Sequence, residues 1–325
     1  MGIIATIVQI LCNYRYKINW YVLLFFVVLL GGGVVYAHSN IVLSNYGEPD
    51  VRVRIVQPVT TQARKISLSR ADALNQAKNR VQELIKLADD VRDVDLVVYP
   101  ETSYPFVLRK YGDEMPIAVG LHKPVIVGAT VFEDGKVFNS LVLANEKGEI
   151  EEVYDKSHLV PFGEYGPIKF IPAPANLTAG DGARVMPVRM KSGKKLLIAP
   201  AVCYEILFSG AVVNRDSVDA IINITNDTWF GKTSGTYQHM DMVRRAAIES
   251  GVPVIRANYS GISGFVGADG TVVAQIPIGQ VGVLDGSVYG AHMTLYRLLG
   301  RDAWFLIIML VAFIGGFVAY RADKK

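Results

Sequence analysis

Cysteine is nearly absent: of 325 residues only Cys12 and Cys203 carry a thiol. Cys12 lies before the first long apolar run, near or in the membrane, and Cys203 in the middle of the following domain, so they are poor partners and no disulfide framework is expected. Histidine is scarce too. His158, His239 and His292 stand apart with no ligand spacing, which excludes a metal site and leaves no obvious cysteine–histidine dyad. Charged residues make up only 19% of the chain against 51% hydrophobic. The net charge of +3 comes from Arg15, Lys17, Arg321, Lys324 and Lys325 at the ends; the rest is near neutral, so nothing points to nucleic acid.

The excess of apolar residues sits in two runs. Residues 18–37, "INWYVLLFFVVLLGGGVVYA", carry no charge over roughly the ~20 residues a bilayer span needs, and 303–320, "AWFLIIMLVAFIGGFVAY", is similar. Trp20, Tyr21, Trp304 and Tyr320 mark their ends, where amphipathic rings settle among headgroups. The first run is longer than a signal-peptide core and reads as an uncleaved anchor. Basic residues outside both runs put the two termini in the cytoplasm and residues 38–302 on the far side of the membrane. The expected organisation is therefore a tail and transmembrane helix over 1–37, a single domain over 38–302, and a second helix with its tail over 303–325.

Within 38–302 the pattern alternates between strand and helix. "DVRVRIVQP" is a strand that stops at Pro58. Ser69 to Asp90 has a helical apolar face of Leu74, Ala77, Val81, Leu84, Ile85 and Ala88, with Ser69 and Asp72 spaced as a capping box. "DVDLVVYPE", "KPVIVGATVF", "SLVLANEKGEIEEVYDK", "KKLLIAPAVCYE" and "VDAIINITND" follow as strands. A helix is expected over Gln238–Ser250, then strands joined by a hairpin near Asp269-Gly270. These alternations predict an α/β domain with a mixed sheet covered by helices. Three strands end in reactive residue types: Glu101, Cys203 and Asn226-Asp227. In such folds sites gather beyond the carboxyl ends of strands.

Each candidate has a plain alternative. A free cysteine at the end of an apolar strand is ordinarily buried and inert. Glu101 in "YPETSYP" fits a turn cap, Lys156 a solvated surface cation, and Glu164 a loop carboxylate. Together they make a coherent chemical set. A desolvated carboxylate acquires a raised pKa and can take the proton of a thiol, while a lysine stabilises the thiolate and a developing oxyanion.

"YPE" at 99–101, "DKSHLVPFGEYGP" at 155–167, "CYEILF" at 203–208, "NITNDTWFG" at 223–231 and "RRAAIESGVPVIRANYSGISGFV" at 244–266 resemble the nitrilase superfamily, and within it the apolipoprotein N-acyltransferase branch. The resemblance covers about residues 51–285. It implies a nitrilase-like α-β-β-α four-layer sandwich, here with flanking transmembrane helices, and it implies no cofactor. It further implies Glu101 as general base, Lys156 as oxyanion stabiliser and Cys203 as nucleophile. Glu164, Tyr204 and Glu205 match supporting positions. Asn226, Asp227, Trp229 and Phe230 match a segment near the substrate, where Trp229 and Phe230 could equally line the wall. The implied reaction moves a fatty acyl chain from a phospholipid donor through a cysteine thioester to the amine of a lipoprotein or another acceptor, at the outer face of a bacterial inner membrane, with the domain in the periplasm. The alternative is a membrane-anchored amidase with the same Glu-Lys-Cys triad. Two departures stand out: one clear span precedes the domain where this branch has several helices, and "VQP" replaces its Gln-Gly-Asn stretch, with no tryptophan following.

Overall fold

The computed structural model describes residues 51–58, 70–88, 90–110, 112–166, 175–190, 192–208, 218–231, 233–287, 290–292, 294, 296–297 and isolated positions 27, 31, 32, 307, 309 and 310. Cys12, Ser69 and nearly all of the two apolar runs, including their terminal aromatic residues, fall outside this set. Among the described residues no helix is long and apolar enough to cross a membrane.

Two mixed sheets form the domain. The first contains β1 (Arg52–Gln57), β2 (Leu96–Val98), β3 (Val107–Arg109), β4 (Val125–Glu133), β5 (Lys136–Ala144), β6 (Ile150–Asp155) and β13 (Gly282–Ser287), in the order β13-β1-β2-β4-β5-β6 with β3 paired to β4. The second contains β7 (Met186–Arg189), β8 (Lys195–Val202), β9 (Ala220–Thr225), β10 (Val254–Asn258), β11 (Ser263–Val266) and β12 (Val272–Ile276), in the order β12-β11-β10-β9-β8-β7. Each has a parallel centre, β1-β2-β4 in one and β8-β9-β10 in the other, with antiparallel strands on either side; β3 alone among the flanking strands pairs parallel, to β4. Parallel strands covered on both faces need uninterrupted apolar sequence, which is what "LVV" and "AIINIT" supply.

Side-chain alternation assigns the layers. Leu96 and Val98 of β2, with Ile55 and Ile126, meet Ile198, Val202, Ile222 and Ile224 of the second sheet in one core. Val97, pointing the other way, joins Val81 and Leu84 of α1 (Arg70–Leu87) and Ile117 and Leu121 of α2 (Pro116–Leu121). Ile221 of β9 packs with Met240, Val243 and Ala247 of α3 (Ser234–Ser250). The result is helix, sheet, sheet, helix. Removing one of these branched side chains, as in Ile222→Ala, costs about 2–5 kcal/mol because the close-packed interior cannot refill the space.

The local expectations need several corrections. A single mixed sheet, read from alternation alone, is in fact two sheets face to face. Only the C-terminal half of α1 meets the core; Leu74 is exposed, so its apolar face is shorter than the periodicity suggests. α3 starts at Ser234, before Gln238, because Thr233 caps it by accepting from the Gly235 N–H. The short elements β3, α2, β7 and β13 were not expected. The hairpin at Asp269-Gly270 is present, closed by Gly270 N–H donating to Gly267 O, with Gly270 at φ +80°.

Candidate active site

Glu101 comes after β2, past Tyr99 and Pro100, while Cys203 directly follows β8 and Lys156 directly follows β6. All three segments are locally bent. Thr102 (φ 50°), Phe162 (φ 63°) and Cys203 (φ 58°) adopt the left-handed conformation, which for a residue with a Cβ costs about 1–2 kcal/mol. Such strain persists only where neighbours hold it. At Glu101 the neighbour is Gly128 of β4, whose N–H donates to Pro100 O at 3.1 Å. A Cβ on Gly128 would collide with the backbone of Glu101 and Thr102, so this glycine allows the close approach. Gly180 does the same for the Lys156 segment: its N–H donates to Lys156 O at 2.9 Å, and a Cβ there would overlap the Asp155 carbonyl.

The charged half of the site is a buried ammonium between two carboxylates. Lys156, 0% exposed, donates from Nζ to Glu164 Oε1 at 2.7 Å and lies 3.9 Å from Glu101 Oε1. Burial alone would push its pKa down, but Glu101, Cys203 and Glu164 outweigh it and hold the ammonium above its usual range. Glu101 is buried as well. Desolvation raises its carboxyl, opposed by Lys156, by the Asn139 amide and by the backbone N–H of Asn226. Asn139 donates from Nδ2 to Glu101 Oε1 at 2.6 Å and, more weakly, to Glu164 Oε1 at 3.4 Å, so one amide spans both acids. Glu164 is further fixed by the Val160 N–H at 2.8 Å.

Cys203 is half-buried and begins a 3-10 turn, Cys203–Phe208. Burial and then the Glu101 carboxylate push its thiol up to about 12, while Lys156 and the Thr225 hydroxyl pull the other way. At neutral pH the sulfur therefore holds its proton, and a base beside it must take that proton during attack. Glu101, kept basic by its dry surroundings and electrostatically coupled to the sulfur, can do so. The Lys156 ammonium can then stabilise negative charge on sulfur or on a substrate oxygen.

Glu205 ties the two halves together. Its Oε1 accepts from Ser157 N–H (2.7 Å), His158 N–H (2.9 Å), Ser157 Oγ (2.9 Å) and Tyr154 OH (3.0 Å), and its Oε2 from Val202 N–H (2.9 Å). One carboxylate thus joins the residue before the nucleophile to the residues after the lysine. Tyr204 donates to Leu159 O at 3.2 Å, and its ring lies 5.8 Å from Lys156 Nζ.

The Asn226–Phe230 segment divides. The Asn226 side chain caps the short turn Asp227–Phe230 by accepting from Thr228 N–H. Asp227 faces inward rather than toward a substrate. It is 1% exposed, and His239 Nδ1 (2.8 Å), Arg256 Nη2 (2.8 Å) and Asn258 Nδ2 (2.6 Å) occupy its carboxylate. Trp229 lines no wall: it is 84% exposed, while Phe230 sets its ring edge against His239. His239 is not isolated, since the face of α3 that packs on the sheet carries it to Asp227. Asn139, Asn223, Thr225, Arg256 and His239 were missed in the sequence. The one signal was polar residues embedded in otherwise apolar strand runs, such as Asn223 and Thr225 in "AIINIT".

A buried glutamate, a buried lysine and a cysteine thus stand past the ends of strands from two facing sheets. The carbon-nitrogen hydrolase family profile matches residues 52–297, and the chain belongs to that family. Solved structures agree on the fold. A carbon-nitrogen hydrolase from Helicobacter pylori G27 superposes with a TM-score of 0.51 over 72% of this chain and 88% of its own, at 18% identity. Saccharomyces cerevisiae Nit3, a member of branch 10 of the nitrilase superfamily, gives 0.54 over 74% and 90%, at 17% identity. In sequence the chain is 34% identical over 290 residues to the apolipoprotein N-acyltransferase of Agrobacterium fabrum, covering 80% of this chain and 53% of the relative. It is 35% identical over 289 residues to that of Rhizobium meliloti, covering 82% and 53%. The chain thus spans about half the length of the curated relatives it matches.

Proposed function

We propose that this protein is a membrane-anchored N-acyltransferase that moves a fatty acyl chain from a phospholipid, through a thioester on Cys203, to the N-terminal amine of an S-diacylglyceryl-cysteine lipoprotein. The observation that carries the proposal is the buried Lys156–Glu101 pair at 3.9 Å, whose charges act on the Cys203 thiol, in a chain whose curated relatives bear the name apolipoprotein N-acyltransferase.

In the first half-reaction Glu101 accepts the Cys203 proton as sulfur attacks the ester carbonyl. Lys156 faces the oxyanion of the tetrahedral intermediate. Collapse breaks the ester C–O bond, and Glu101 returns the proton to the departing lysophospholipid oxygen. In the second half the acceptor amine attacks the thioester, Glu101 takes a proton from nitrogen, and Cys203 leaves as a thiol once it is reprotonated. Glu164 and Asn139 orient the charged groups, and Glu205 and Tyr204 support the nucleophile and the lysine loop. The exposed rings of Trp229 and Phe162 and the exposed Leu207 side chain, on segments adjoining the triad, suit a lipid-facing rim.

In this proposal residues 1–37 and 303–325 each contribute a transmembrane helix with its cytoplasmic tail, and 38–302 is the catalytic domain on the periplasmic side of the inner membrane. Support lies in the uncharged runs, their aromatic ends and the basic tails. Both substrates are lipids that lie in the bilayer, which gives an anchor its use.

The test is incubation of the purified full chain with acyl-labelled phospholipid in detergent. A labelled thioester at Cys203 that a diacylglyceryl-cysteine peptide discharges to an amide supports transfer. Label that leaves only as free acid, with or without the peptide, replaces transfer by hydrolysis.

A further inference from the structure

Behind the nucleophile lies a second polar cluster that the proposed chemistry does not use. Arg256, on β10, is 0% exposed and sits in the second sheet among apolar residues. Its Nη2 donates to Asp227 Oδ2 at 2.8 Å, its Nε to Ile262 O at 3.1 Å, and its Nη1 forms a short bond to Asn223 Oδ1. Asn223 Nδ2 in turn donates to Ala201 O at 3.0 Å and to Cys203 O at 3.1 Å. On the other side of Asp227, His239 Nδ1 lies 2.8 Å from Oδ1 and 3.2 Å from Arg256 Nη2, which completes the buried cluster around the ion pair. Asn223, held by the buried Arg256–Asp227 pair, therefore donates to the backbone carbonyl of a cysteine whose φ is +58°.

A buried ion pair is a weak way to gain stability, since desolvation offsets most of the attraction. Its value lies in rigidity. A left-handed cysteine relaxes toward ordinary strand geometry unless its carbonyl is held, and relaxation would swing Sγ away from Glu101 and Lys156.

We infer that Asn223, anchored through the Arg256–Asp227 pair, clamps the Cys203 backbone and so sets the position of the sulfur; it is a positioning residue, not a catalytic one. The inference rests on Cys203 as the reactive sulfur of the proposed function, but not on the identity of either lipid substrate.

The experiment follows alkylation of Cys203 by iodoacetamide, read by mass spectrometry on the full-length protein, alongside thermal unfolding. Two single variants are compared. Asn223→Ala removes the amide altogether, and Asn223→Asp keeps an acceptor for Arg256 but no amide donor for the Cys203 carbonyl. Each should slow alkylation roughly 10–100-fold, the cost of a misplacement near 1 Å, with unfolding within a few degrees of wild type. Wild-type alkylation in either folded variant overturns the clamp. If Asn223→Ala fails to fold, Asn223→Asp decides; loss of the fold in both assigns Asn223 to the core rather than to the sulfur and overturns the clamp as well. Iodoacetamide needs no lipid, so a wild-type protein that alkylates fast but takes no label from phospholipid removes the acyltransferase proposal and leaves the clamp standing.

Discussion

The two sheets contribute opposite kinds of polar interior to one site. On the first-sheet side, Glu101, Lys156 and Glu164 form a cluster whose charges can change: a raised carboxyl, an ammonium at 3.9 Å from it and a second carboxylate at 2.7 Å. On the second-sheet side, Asn223, Arg256, Asp227, His239 and Asn258 form a network whose charges are locked, with Asp227 held down to about 2 by Arg256, His239 and Asn258 against its burial. Burial raises one acid and fails to raise the other because the partners differ. Glu101 has a shared ammonium and one amide, whereas Asp227 has a guanidinium, an imidazole and an amide to itself. The comparison teaches that the same dry interior makes a proton carrier or a fixed strut according to how many donors each oxygen receives.

The largest expected effect attacks the first side. Cys203→Ala should abolish the acyl-enzyme, and Glu101→Gln should slow its formation by at least ~100-fold without lowering the unfolding temperature, since a general base contributes to the barrier and not to the core. Labelled-phospholipid trapping and a melting curve on the same sample check both. Glu101 must be ionised to accept the proton, so acylation should rise with pH through a limb displaced above the ordinary glutamate range. An unshifted limb would show that Glu101 is not the group titrating.

Next comes the strut. Arg256→Met strands the buried Asp227 carboxylate and should cost about 3–5 kcal/mol in urea unfolding. A loss below about 1 kcal/mol would erase the contrast between the two sides. Asp227 also has a definite pH signature. Its folded pKa is depressed, so its contribution is complete above the unfolded value near ~3.9 and disappears as pH falls through about 2; a shift of that size is worth about 2 kcal/mol. Glu101 has the opposite sign: its raised folded value makes it a cost as pH rises past the ordinary carboxylate range. Unfolding free energies at several acidic pH values, in wild type and Asp227→Asn, separate the two slopes.

The smallest effect belongs to the rim. Trp229→Ala should alter stability by no more than about 0.5 kcal/mol, because the ring is 84% exposed, and should leave iodoacetamide alkylation unchanged. It should lower the rate only with phospholipid presented in a bilayer.

Strands β2, β8 and β9 were legible because a parallel strand buried on both faces must be apolar throughout, and a polar residue at its end then stands out; this is why Glu101 and Cys203 were candidates, while their roles came from the family resemblance. β13 was not legible, since "GVLDGS" has no clear alternation and pairs with β1 across more than two hundred residues of sequence, at Arg52 with Ser287. The resemblance placed Asp227 near the substrate. Its direction depends on Arg256 and Asn258, which only the β9–β10 pairing brings alongside. His239 looked isolated for a related reason, as its partner lies twelve residues earlier, across a capped turn.

By itself the sequence determined the buried strands, the reactive residues that end them and the uncharged runs at either end, because period, hydropathy and residue type are local properties of a chain. Tertiary structure decided which of those residues share a space, which carboxylate titrates and which is locked, and that Cys203 is held in a left-handed turn. Those outcomes depend on desolvation and on donors supplied from distant strands, and neither can be counted until the sheets have closed on one another.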